Sequence, residues 1–372
     1  MINPVSALYP FLQRMRFFKF NIMFNRYKSC PVDEKKVLMF TTSRGKLGGN
    51  LLAVKNYIEK NKLNFKITVF TSVNMPDESI VAKEMAISKF ILVDDFEPVV
   101  YTLKLRDGQE LIQVWHAMGA FKKFGYSRST ANKNSLTHKN YTKAIVSSDE
   151  IVSIYAQAFG IDESKVFPIG TPRTDVLFNE EYKTNTVTRL YENTPLLIGK
   201  KICLFAPTFR GNNVNDAYYP TEFLNIEEFA NSLPDNWVVI LKYHPFIKNL
   251  PQIPDSVKDR VFDLSNERDI NDILFITDVL VTDYSSVIFE NAIVGNPSVL
   301  YAPDLADYTG DRGFYFDYSE YACGAVVKNQ RDLANAVIKA QDEADKTALF
   351  KKRFVSLCDG NSCKRFIDEI LK

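Results

Sequence analysis

The segment VLVTDYSSVIFENAIVGNPSVLYA (279–302) contains a complete strand–helix–strand unit. It begins with the apolar run VLVTD (279–283), continues with a helical stretch that the sequence GNP (295–297) ends, and closes with the apolar run NPSVLYA (296–302). Neither apolar run alternates with polar residues. Each therefore predicts a strand that is buried on both faces, as in a parallel sheet covered by helices.

The same alternation of apolar runs and helical segments extends over most of the chain, starting at Lys36. It predicts an α/β protein of two successive Rossmann-like domains, each built on a parallel sheet, that face each other across a cleft. A length of 372 residues also exceeds what one hydrophobic core usually serves. The other predicted strands are 37–43, 65–72, 89–95, 110–116, 143–149, 166–170, 201–209 and 237–245.

The polar region 179–200 interrupts this alternation and is the predicted linker, although part of it has a helical pattern. We expect a basic amphipathic segment at 1–30, a first domain at 31–190, a second at 191–350 and a C-terminal helix at 351–372.

The composition excludes several classes of protein. A net charge of +1 gives no reason to expect nucleic-acid binding, and no stretch approaches the 18 apolar residues of a membrane-spanning helix. The N-terminus lacks the cleavage pattern of a secretory signal. Five scattered cysteines without a CxxC pair favour a reducing cytoplasm and argue against disulfides or a zinc site, and no metal site is predicted.

Residues 1–30 carry five cations and no Asp or Glu, and aromatic residues are interleaved with the cations. A helix of this composition can lie on an anionic membrane surface. It can equally pack as a basic amphipathic helix on its own domain. The cations are Arg14, Arg16, Lys19, Arg26 and Lys28.

Unusual polar residues follow four of the predicted strands. They are His116, the pair Thr208 and Arg210, His244, and the run 282–286. One polar strand end is unremarkable, but ligands of such sheets bind beyond the carboxyl ends of the strands. Four of these ends, taken from both halves, therefore favour a ligand site.

Asp283, Ser285 and Ser286 stand where a predicted strand meets a helix. Hydroxyl groups and unpaired N–H groups at a helix N-terminus bind anions, which favours a phosphate. The alternative is simple capping of the helix by serine, which accounts for one of the two serines better than for both.

Two further strand ends carry cationic residues. Lys242 and His244 can donate to phosphate oxygens, or His244 can be hydrogen-bonded inside its domain. Arg173, in a turn after 166–170, offers bidentate recognition of phosphate, or it pairs with Asp175 and stabilises the turn.

In the predicted loop DRGFYFDY (311–318), Arg312 and Gly313 are expected to contact phosphate, and the aromatic residues are expected to pack beneath them.

The turn GKLGGN (45–50) fits neither the Walker loop nor GxGxxG, which disfavours a dinucleotide cofactor. The acids Asp94 and Asp95 are expected to be solvated or capping, and His138 is expected in an exposed loop.

With these pieces in view, the chain resembles the CDP-glycerol glycerophosphotransferase family, the teichoic acid primases and polymerases. The resemblance implies a GT-B architecture in which the C-terminal residues 351–372 cross back onto the first domain. The segments that carry it are WHAMGAFKKFG (115–125), GTPRTDVL (170–177), APTFRG (206–211), LKYHP (241–245), DINDILFITDVLVTDYSSVIFE (269–290) and RGFYFDY (312–318).

The resemblance also implies a reaction. Glycerol phosphate moves from CDP-glycerol (or ribitol phosphate from CDP-ribitol) to a hydroxyl of an undecaprenyl-diphosphate-linked saccharide in wall teichoic acid or related capsule synthesis, and CMP leaves. The enzyme is expected in the cytoplasm, peripheral on the inner face of the cell membrane, with residues 1–30 as its contact. No cofactor is implied with certainty, and a divalent cation stays open.

The resemblance implies roles for the candidate residues. His116, in the acceptor-side domain, is the general base for the attacking hydroxyl, and His244 also belongs to the catalytic group. Lys122, Lys123, Gly45 and Asn50 are placed on the acceptor or phosphate side. The donor-binding residues are Thr208, Arg210, Lys242, Asp283, Ser285, Ser286, Arg312, Gly313 and Arg173.

The segment 115–125 departs from the family pattern, since many polymerases have WHGTPLK where this chain has WHAMGAFKK. This spacing leaves open which of Lys122 and Lys123 takes the lysine's role. Together with the short chain, it favours a primase that adds one or a few units. The alternatives are a nucleotide-sugar glycosyltransferase of the same architecture and a catalytically silent, membrane-peripheral nucleotide-binding protein.

Overall fold

The computed structural model describes residues 4–43, 45–211, 216–248, 250–267, 269–321 and 323–372. The chain forms two compact units, Met1–Asp175 with Leu357–Lys372 and Val176–Ser356. Each unit contains one six-stranded sheet in which every strand pair is parallel, with helices between the strands. The predicted α/β class with two parallel sheets is confirmed.

The first sheet has the strand order β2-β1-β3-β4-β5-β6. Its strands are β1 Asp33–Phe40, β2 Lys66–Phe70, β3 Ser88–Val93, β4 Glu110–Gln113, β5 Lys143–Val146 and β6 Val166–Pro168. The helices of this part of the chain are α1 Pro4–Arg16, α2 Phe18–Arg26, α3 Gly49–Lys60, α4 Glu78–Ile87 and α5 Val152–Phe159.

The second sheet has the order β12-β11-β10-β7-β8-β9. Its strands are β7 Lys201–Phe205, β8 Trp237–Leu241, β9 Val261–Asp263, β10 Val279–Thr282, β11 Ser298–Tyr301 and β12 Val326–Val327. The helices of this unit are α6 Glu180–Asn193, α7 Ile226–Ser232, α8 Ile270–Leu274, α9 Val287–Val294, α10 Leu305–Arg312, α11 Gln330–Lys339 and α12 Ala344–Phe354.

Both strand orders contain a switch point, where the chain crosses from one side of the sheet to the other. The switch lies between β1 and β3 in the first sheet and between β7 and β10 in the second. At such a point the loops after the two strands diverge and leave a crevice beyond their carboxyl ends. The candidate residues of each unit follow these strands or their neighbours.

The C-terminal residues complete the core of the first unit. A short helix, α13 Ser362–Arg365, leads into a π-helical turn, Phe366–Ile370. Phe366 and Ile370 are buried against the side chains of β1, β3 and α3. The carboxylate of Asp175 accepts the N–H groups of Ser362 and Cys363 at 3.0 and 2.7 Å, which ties the segment to the turn after β6.

The N-terminal helices of the first unit differ from each other in burial. Phe20 and Phe24 of α2 are buried, and α2 packs on α4. α1 exposes most of its apolar side chains, and its Gln13 accepts the N–H of Leu136 at 2.8 Å. Within the described residues, no helix has the length and apolarity that crossing a membrane requires.

Two sequence predictions need adjustment. The predicted linker at 179–200 is mostly the regular helix α6, whose Asn179 side chain caps it by accepting the N–H of Tyr182. The strands β9 and β12 were not predicted, since they contain only three and two residues.

Candidate active site

Asp283 organises the switch point of the second sheet. It follows β10, and its buried carboxylate accepts the backbone N–H of Thr208, in the loop after β7, at 2.7 Å. The same oxygen accepts the N–H of Tyr284 at 2.6 Å. One carboxylate therefore fixes the loops after both strands.

Arg210 is buried beside Asp283, and its guanidinium is bound on several sides. Nη1 lies 2.9 Å from Asp283 Oδ2 and 2.6 Å from the carbonyl oxygen of Thr208. Nε and Nη2 donate to the two carboxylate oxygens of Asp304 at 2.7 and 2.9 Å. The guanidinium also lies over the rings of Tyr284 and Tyr308, at 5.0 and 5.1 Å from their centroids.

These contacts give Arg210 a structural role, and its predicted contact with the donor stays a prediction. Burial opposes the charged guanidinium, but Asp283 and Asp304 outweigh it and raise the pKa of Arg210 above its ordinary value. Most of its N–H groups serve carboxylates and a carbonyl of its own unit. Arg210 thus holds two buried carboxylates in place.

The segment that follows α10 packs against the same cluster. Phe314 and Tyr318 are buried and lie against the ring of Tyr284. The hydroxyl of Tyr318 donates to the carbonyl oxygen of Asp283 at 2.8 Å. Gly313 ends α10 with a φ of 66°, a left-handed value that favours glycine. The side chain of Arg312 lies outside the described residues.

Lys242 also has a structural role in the second unit. Its Nζ donates to the carbonyl oxygens of Ser265 and Glu267, each at 2.8 Å, and burial lowers its pKa. These contacts tie the end of β8 to the loop after β9. Two of the three N–H donors of the ammonium group are used in this way, and the predicted phosphate contact of Lys242 stays a prediction.

His244 lies beyond β8 in an aromatic setting. Its ring packs against Phe209 and Phe246, with centroids at 4.8 and 4.5 Å. Nδ1 accepts the N–H of Phe246 at 3.2 Å, so the neutral ring carries its proton on Nε2. In this tautomer Nε2 is a hydrogen-bond donor, as a phosphate contact requires.

The hydroxyl groups at this edge have few partners. Ser286 is the N-cap residue of α9, yet its side chain makes no capping bond, and Ser285 Oγ accepts only a long bond of 3.4 Å from Val287 N–H. The buried hydroxyl of Thr208 has no hydrogen-bond partner among the described residues. Simple capping therefore does not account for the two serines.

His116 follows β4 in the first unit, and one of its ring nitrogens is fixed. Nδ1 donates to the carbonyl oxygen of Asp94 at 3.0 Å, and the carboxylate of Asp95 lies 3.7 Å from the same nitrogen. The proton on Nδ1 leaves a lone pair on Nε2. With its side chain about one third exposed, His116 has the geometry of a base that accepts a proton at Nε2.

Asn50 has a structural role in the first unit, and its predicted place on the acceptor side stays a prediction. It is buried at the start of α3, and its Nδ2 donates to the carbonyl oxygens of Val114 and Trp115 at 2.7 and 3.0 Å. Its Oδ1 accepts the N–H of Arg173 at 3.0 Å. The side-chain amide is therefore occupied by the backbone of two loops, and Arg173 lies next to the loop that carries His116.

The other predicted residues of this edge lie in exposed or half-buried loops. Gly45 is exposed, and its carbonyl oxygen accepts the hydroxyl of Thr71 at 3.0 Å. Lys122 is half-buried and Lys123 is exposed.

The prediction of an exposed His138 is wrong. His138 is buried among the rings of Trp115, Tyr141 and Phe159, and its Nδ1 lies 3.0 Å from the hydroxyl of Tyr141. Burial lowers its pKa to about 4, so the ring stays neutral. The surrounding sequence is polar and gave no sign of this aromatic environment.

Glu97 was not predicted, although it follows β3 at the same edge of the sheet as His116. Its buried carboxylate accepts the N–H and the hydroxyl of Thr42, after β1, at 2.6 and 2.7 Å. Burial raises its pKa to about 7, and the nearby Asp94 and Asp95 add to the effect.

Among the described residues, no group of three or more His, Cys, Asp or Glu side chains is arranged to hold a metal ion.

Comparison with known proteins identifies the family. The model of the CDP-glycerol:poly(glycerophosphate) glycerophosphotransferase family matches residues 22–372. The chain belongs to this family. The family resemblance inferred from the sequence motifs is thereby confirmed.

Among the glycerophosphotransferase relatives, a teichoic acid poly(ribitol-phosphate) polymerase of Bacillus spizizenii is 36% identical over 97% of this chain and 60% of its own length. A teichoic acid ribitol-phosphate primase of the same organism is 31% identical over 91% of this chain and 92% of its own length. The chain therefore spans about three fifths of the polymerase.

A solved structure has the same fold. The wall teichoic acid polymerase TagF matches with a TM-score of 0.76 at 21% identity, over 97% of each chain. This likeness concerns the fold, and it agrees with the two parallel sheets described above.

Several supporting residues of this candidate site were not predicted from the sequence. Asp304 follows β11 by three residues, so the strand-end rule that selected Asp283 also applies to it. Gln113 ends β4 and Tyr318 lies inside an aromatic loop. Nothing in their local sequence marks either as a hydrogen-bonding partner of the site.

Proposed function

We propose that this protein transfers a polyol phosphate from a CDP-linked polyol to a hydroxyl group of a teichoic acid acceptor. Membership of the glycerophosphotransferase family supports the reaction class. The observation that carries the catalytic part is His116, whose Nδ1 is fixed by the Asp94 carbonyl while Nε2 keeps its lone pair.

The chemistry assigned to His116 is general base catalysis. The acceptor hydroxyl oxygen attacks the phosphorus that bears the polyol, the bond from this phosphorus to the CMP oxygen breaks, and CMP leaves with the electron pair. The hydroxyl proton moves to Nε2 of His116. The resulting imidazolium is stabilised by the Asp94 carbonyl oxygen and by the carboxylate of Asp95.

The second unit is assigned to the donor. Ser285, Ser286 and the N–H groups at the start of α9 form an anion site for the pyrophosphate. The buried Thr208 hydroxyl and Nε2 of His244 add hydrogen-bond donors. Asp283 and Arg210 act behind them, because they fix the loops that carry these donors. Fixed dipoles of this kind stabilise the charge that develops on the phosphoryl oxygens.

The identity of the polyol has two candidates. The two relatives compared above are named for ribitol phosphate, which favours CDP-ribitol. The family description favours glycerol phosphate and CDP-glycerol. The acceptor that we propose is a lipid-linked saccharide, with a primase-like addition of one or a few units.

The test is CMP release by the purified full chain. CDP-ribitol and CDP-glycerol are each supplied with and without a synthetic lipid-linked disaccharide, and products are weighed by mass spectrometry. We expect acceptor-dependent CMP release from one of the two donors and products that carry one or a few units. Long products make the protein a polymerase. Turnover of only UDP- or CMP-sugars, or none with any acceptor, overturns the proposal.

The exposed face of the N-terminal helices supports a place at the inner membrane surface. Its apolar side chains are spaced three or four residues apart, and the cations Arg14, Arg16, Lys19 and Arg26 beside it are exposed. Since α2 also packs on α4, the helices are attached to the first unit and present this face outward. The exposed apolar residues are Leu8, Phe11, Leu12, Met15, Phe18 and Ile22.

Co-sedimentation with vesicles containing phosphatidylglycerol tests this assignment. Replacing Leu8, Phe11, Leu12 and Met15 with serine removes apolar area, and we expect most of the bound protein to move to the supernatant. Leu196→Ser with Ile198→Ser, which are equally exposed in the second unit, is the matched control. Unchanged binding of the α1 variant contradicts the membrane contact.

A further inference from the structure

Trp115 has an unusual backbone, directly before the proposed base. Its φ is 50°, in the left-handed region that a bulky residue adopts only when its surroundings enforce it. Its indole ring packs on the His116 ring, with centroids 4.4 Å apart, and stacks on Phe124 at 5.0 Å. Whatever holds this peptide conformation also determines where the imidazole of His116 points.

Two buried amide side chains hold the two peptide groups that flank Trp115. Gln113 Oε1 accepts the N–H of Trp115 at 2.9 Å. Asn50 Nδ2 donates to the carbonyl oxygen of Trp115 at 3.0 Å and to that of Val114 at 2.7 Å. Gln113 is 0% and Asn50 2% exposed, so water does not compete for these bonds.

Gln113 also connects this peptide to the loop that binds the histidine ring. Its Nε2 donates to the carbonyl oxygen of Asp95 at 3.1 Å and to the hydroxyl of Tyr141 at 2.7 Å. The neighbouring carbonyl, that of Asp94, accepts Nδ1 of His116. The backbone before His116 and the acceptor of its ring are thus fixed by one side chain.

We propose that Asn50 and Gln113 are positioning residues that hold the Trp115 peptide in its left-handed conformation and thereby aim Nε2 of His116. They touch neither donor nor acceptor and act through the backbone. The inference rests on the proposed function, since it takes His116 as the base. It differs from the predicted role of Asn50 as a contact on the acceptor side.

A matched control lies at the opposite end of the same sheet. Gln109, just before β4, is 4% exposed, and its Nε2 donates to the carbonyl oxygens of Met85, Ala86 and Ser88 at 2.9, 3.3 and 2.8 Å. Its Oε1 accepts the N–H of Arg106 at 3.0 Å. Gln109→Met therefore removes a comparable set of bonds without changing the loop of His116.

The kinetic experiment compares Asn50→Leu, Gln113→Met and Gln109→Met in the full chain. We expect kcat to fall by about tenfold to a hundredfold in the first two, as for a catalytic group displaced by about 1 Å, with little change in donor KM. Gln109→Met lowers the Tm to a similar extent but keeps kcat. The double variant of Asn50 and Gln113 is less than additive, because both act on one peptide.

A second measurement does not depend on activity. Correlation spectra of the imidazole nitrogens report which nitrogen carries the proton, and the chain has only three histidines. We expect the Nδ1–H form of His116 in the wild type and a mixture of tautomers in Asn50→Leu and Gln113→Met. The signal of His116 is assigned by its loss in His116→Asn.

The possible outcomes separate the two proposals. Wild-type kcat with an unchanged Nδ1–H signal in both variants overturns the positioning role, as does an equal loss of kcat in Gln109→Met. Wild-type turnover by His116→Asn overturns the base assignment instead, while the spectra still decide whether the two amides orient the ring.

Discussion

The carboxyl ends of the two sheets carry similar kinds of residue but use them differently. At the first sheet, His116 is held through Nδ1 and keeps Nε2 for chemistry. At the second sheet, Arg210 and Lys242 donate to carboxylates or carbonyls of their own unit. At the first edge, Nε2 of His116 is left for chemistry. At the second edge, the charged groups hold one another in place, and the groups with few or no hydrogen-bond partners among the described residues are hydroxyls.

This difference shows that a charge at a strand end does not by itself indicate a ligand contact. A cation that lies nine-tenths buried requires partners inside the protein, because burying an unpaired charge is costly. Arg210 satisfies this requirement through Asp283 and Asp304. Groups left with an unused donor or acceptor, such as Thr208 and His116, are better candidates for contact with substrate.

The largest expected effect is on the first edge. His116→Ala removes the base, and we expect kcat to fall by about 10²- to 10⁴-fold while donor binding persists. His116→Asn keeps a donor for the Asp94 carbonyl but has no equivalent of Nε2, so it should be equally inactive. CMP release and the binding of CDP-polyol by calorimetry measure the two parts.

Substantial activity in His116→Asn but not in His116→Ala contradicts this assignment. It would show that the residue matters through its Nδ1 hydrogen bond and not as a base.

Much of the fold followed from the sequence, because strands buried on both faces form continuous apolar runs. Each of the ten predicted strands overlaps an observed strand, but several observed strands end two or more residues earlier, as β4 does at Gln113 rather than at 116. The strands end before the candidate site residues, which lie in the loops that follow them. The missed strands β9 and β12 are the two edge strands of the second sheet and are too short for a pattern to emerge.

The site could be predicted only in part, for a physical reason. The residue types and their positions after strands are visible in the sequence, and they selected His116, Asp283 and Ser285. Partners from distant segments are not visible. Asp304 reaches Arg210 from 94 residues away, and Asn50 reaches the Trp115 carbonyl across 65 residues. Whether a polar group is open or occupied depends on such partners.

A second prediction tests the scaffold at the second edge. Arg210→Met leaves Asp283 and Asp304 buried without their cation, and we expect the free energy of unfolding to fall by about 3–5 kcal/mol. Arg189→Met is the control. Arg189 also binds two carboxylates, those of Glu267 and Asp272, at 3.0 and 2.9 Å, but its side chain is 42% exposed against 9% for Arg210.

Because solvent screens an exposed pair, Arg189→Met should cost only about 1 kcal/mol. Urea unfolding measures both values. If Arg210→Met proves as stable as the control and instead raises the donor KM, then Arg210 contacts the donor as the sequence suggested.

A third prediction concerns pH, since a group at the first edge titrates near neutrality. Burial raises the pKa of Glu97 from 4.5 to about 7. The folded protein therefore keeps a proton that the unfolded chain releases, and this stabilisation, complete below about pH 4.5, is lost as the pH rises through 7. The difference between the two pKa values corresponds to about 3 kcal/mol.

Glu97→Gln removes this contribution while keeping an acceptor for Thr42. The stability of the wild type relative to the variant should fall between pH 4.5 and 7 in urea unfolding. His138 acts in the opposite sense: its pKa is lowered from 6.5 to about 4, so its contribution is lost as the pH falls. Glu97→Gln keeps His138 and should therefore gain stability as the pH rises from 4 to 6.5. Parallel curves for Glu97→Gln and the wild type contradict the prediction, and Glu180→Gln, at an exposed position, is the control.

The smallest expected effect tests the open hydroxyl at the second edge. Thr208→Val removes a buried hydroxyl without a hydrogen-bond partner among the described residues, so stability should stay the same or rise slightly. If this hydroxyl donates to the donor pyrophosphate, its loss weakens donor binding by about 1.5 kcal/mol, or about tenfold in KM.

Thr282→Val gives the reverse pattern, because the Thr282 hydroxyl donates to the Ala206 carbonyl at 2.6 Å. That variant should lose about 1 kcal/mol of stability and keep its donor KM. An unchanged KM in Thr208→Val would contradict a contact between this hydroxyl and the pyrophosphate. The serines and His244 would then remain as the hydrogen-bond donors, and Thr208 would only pack within the scaffold.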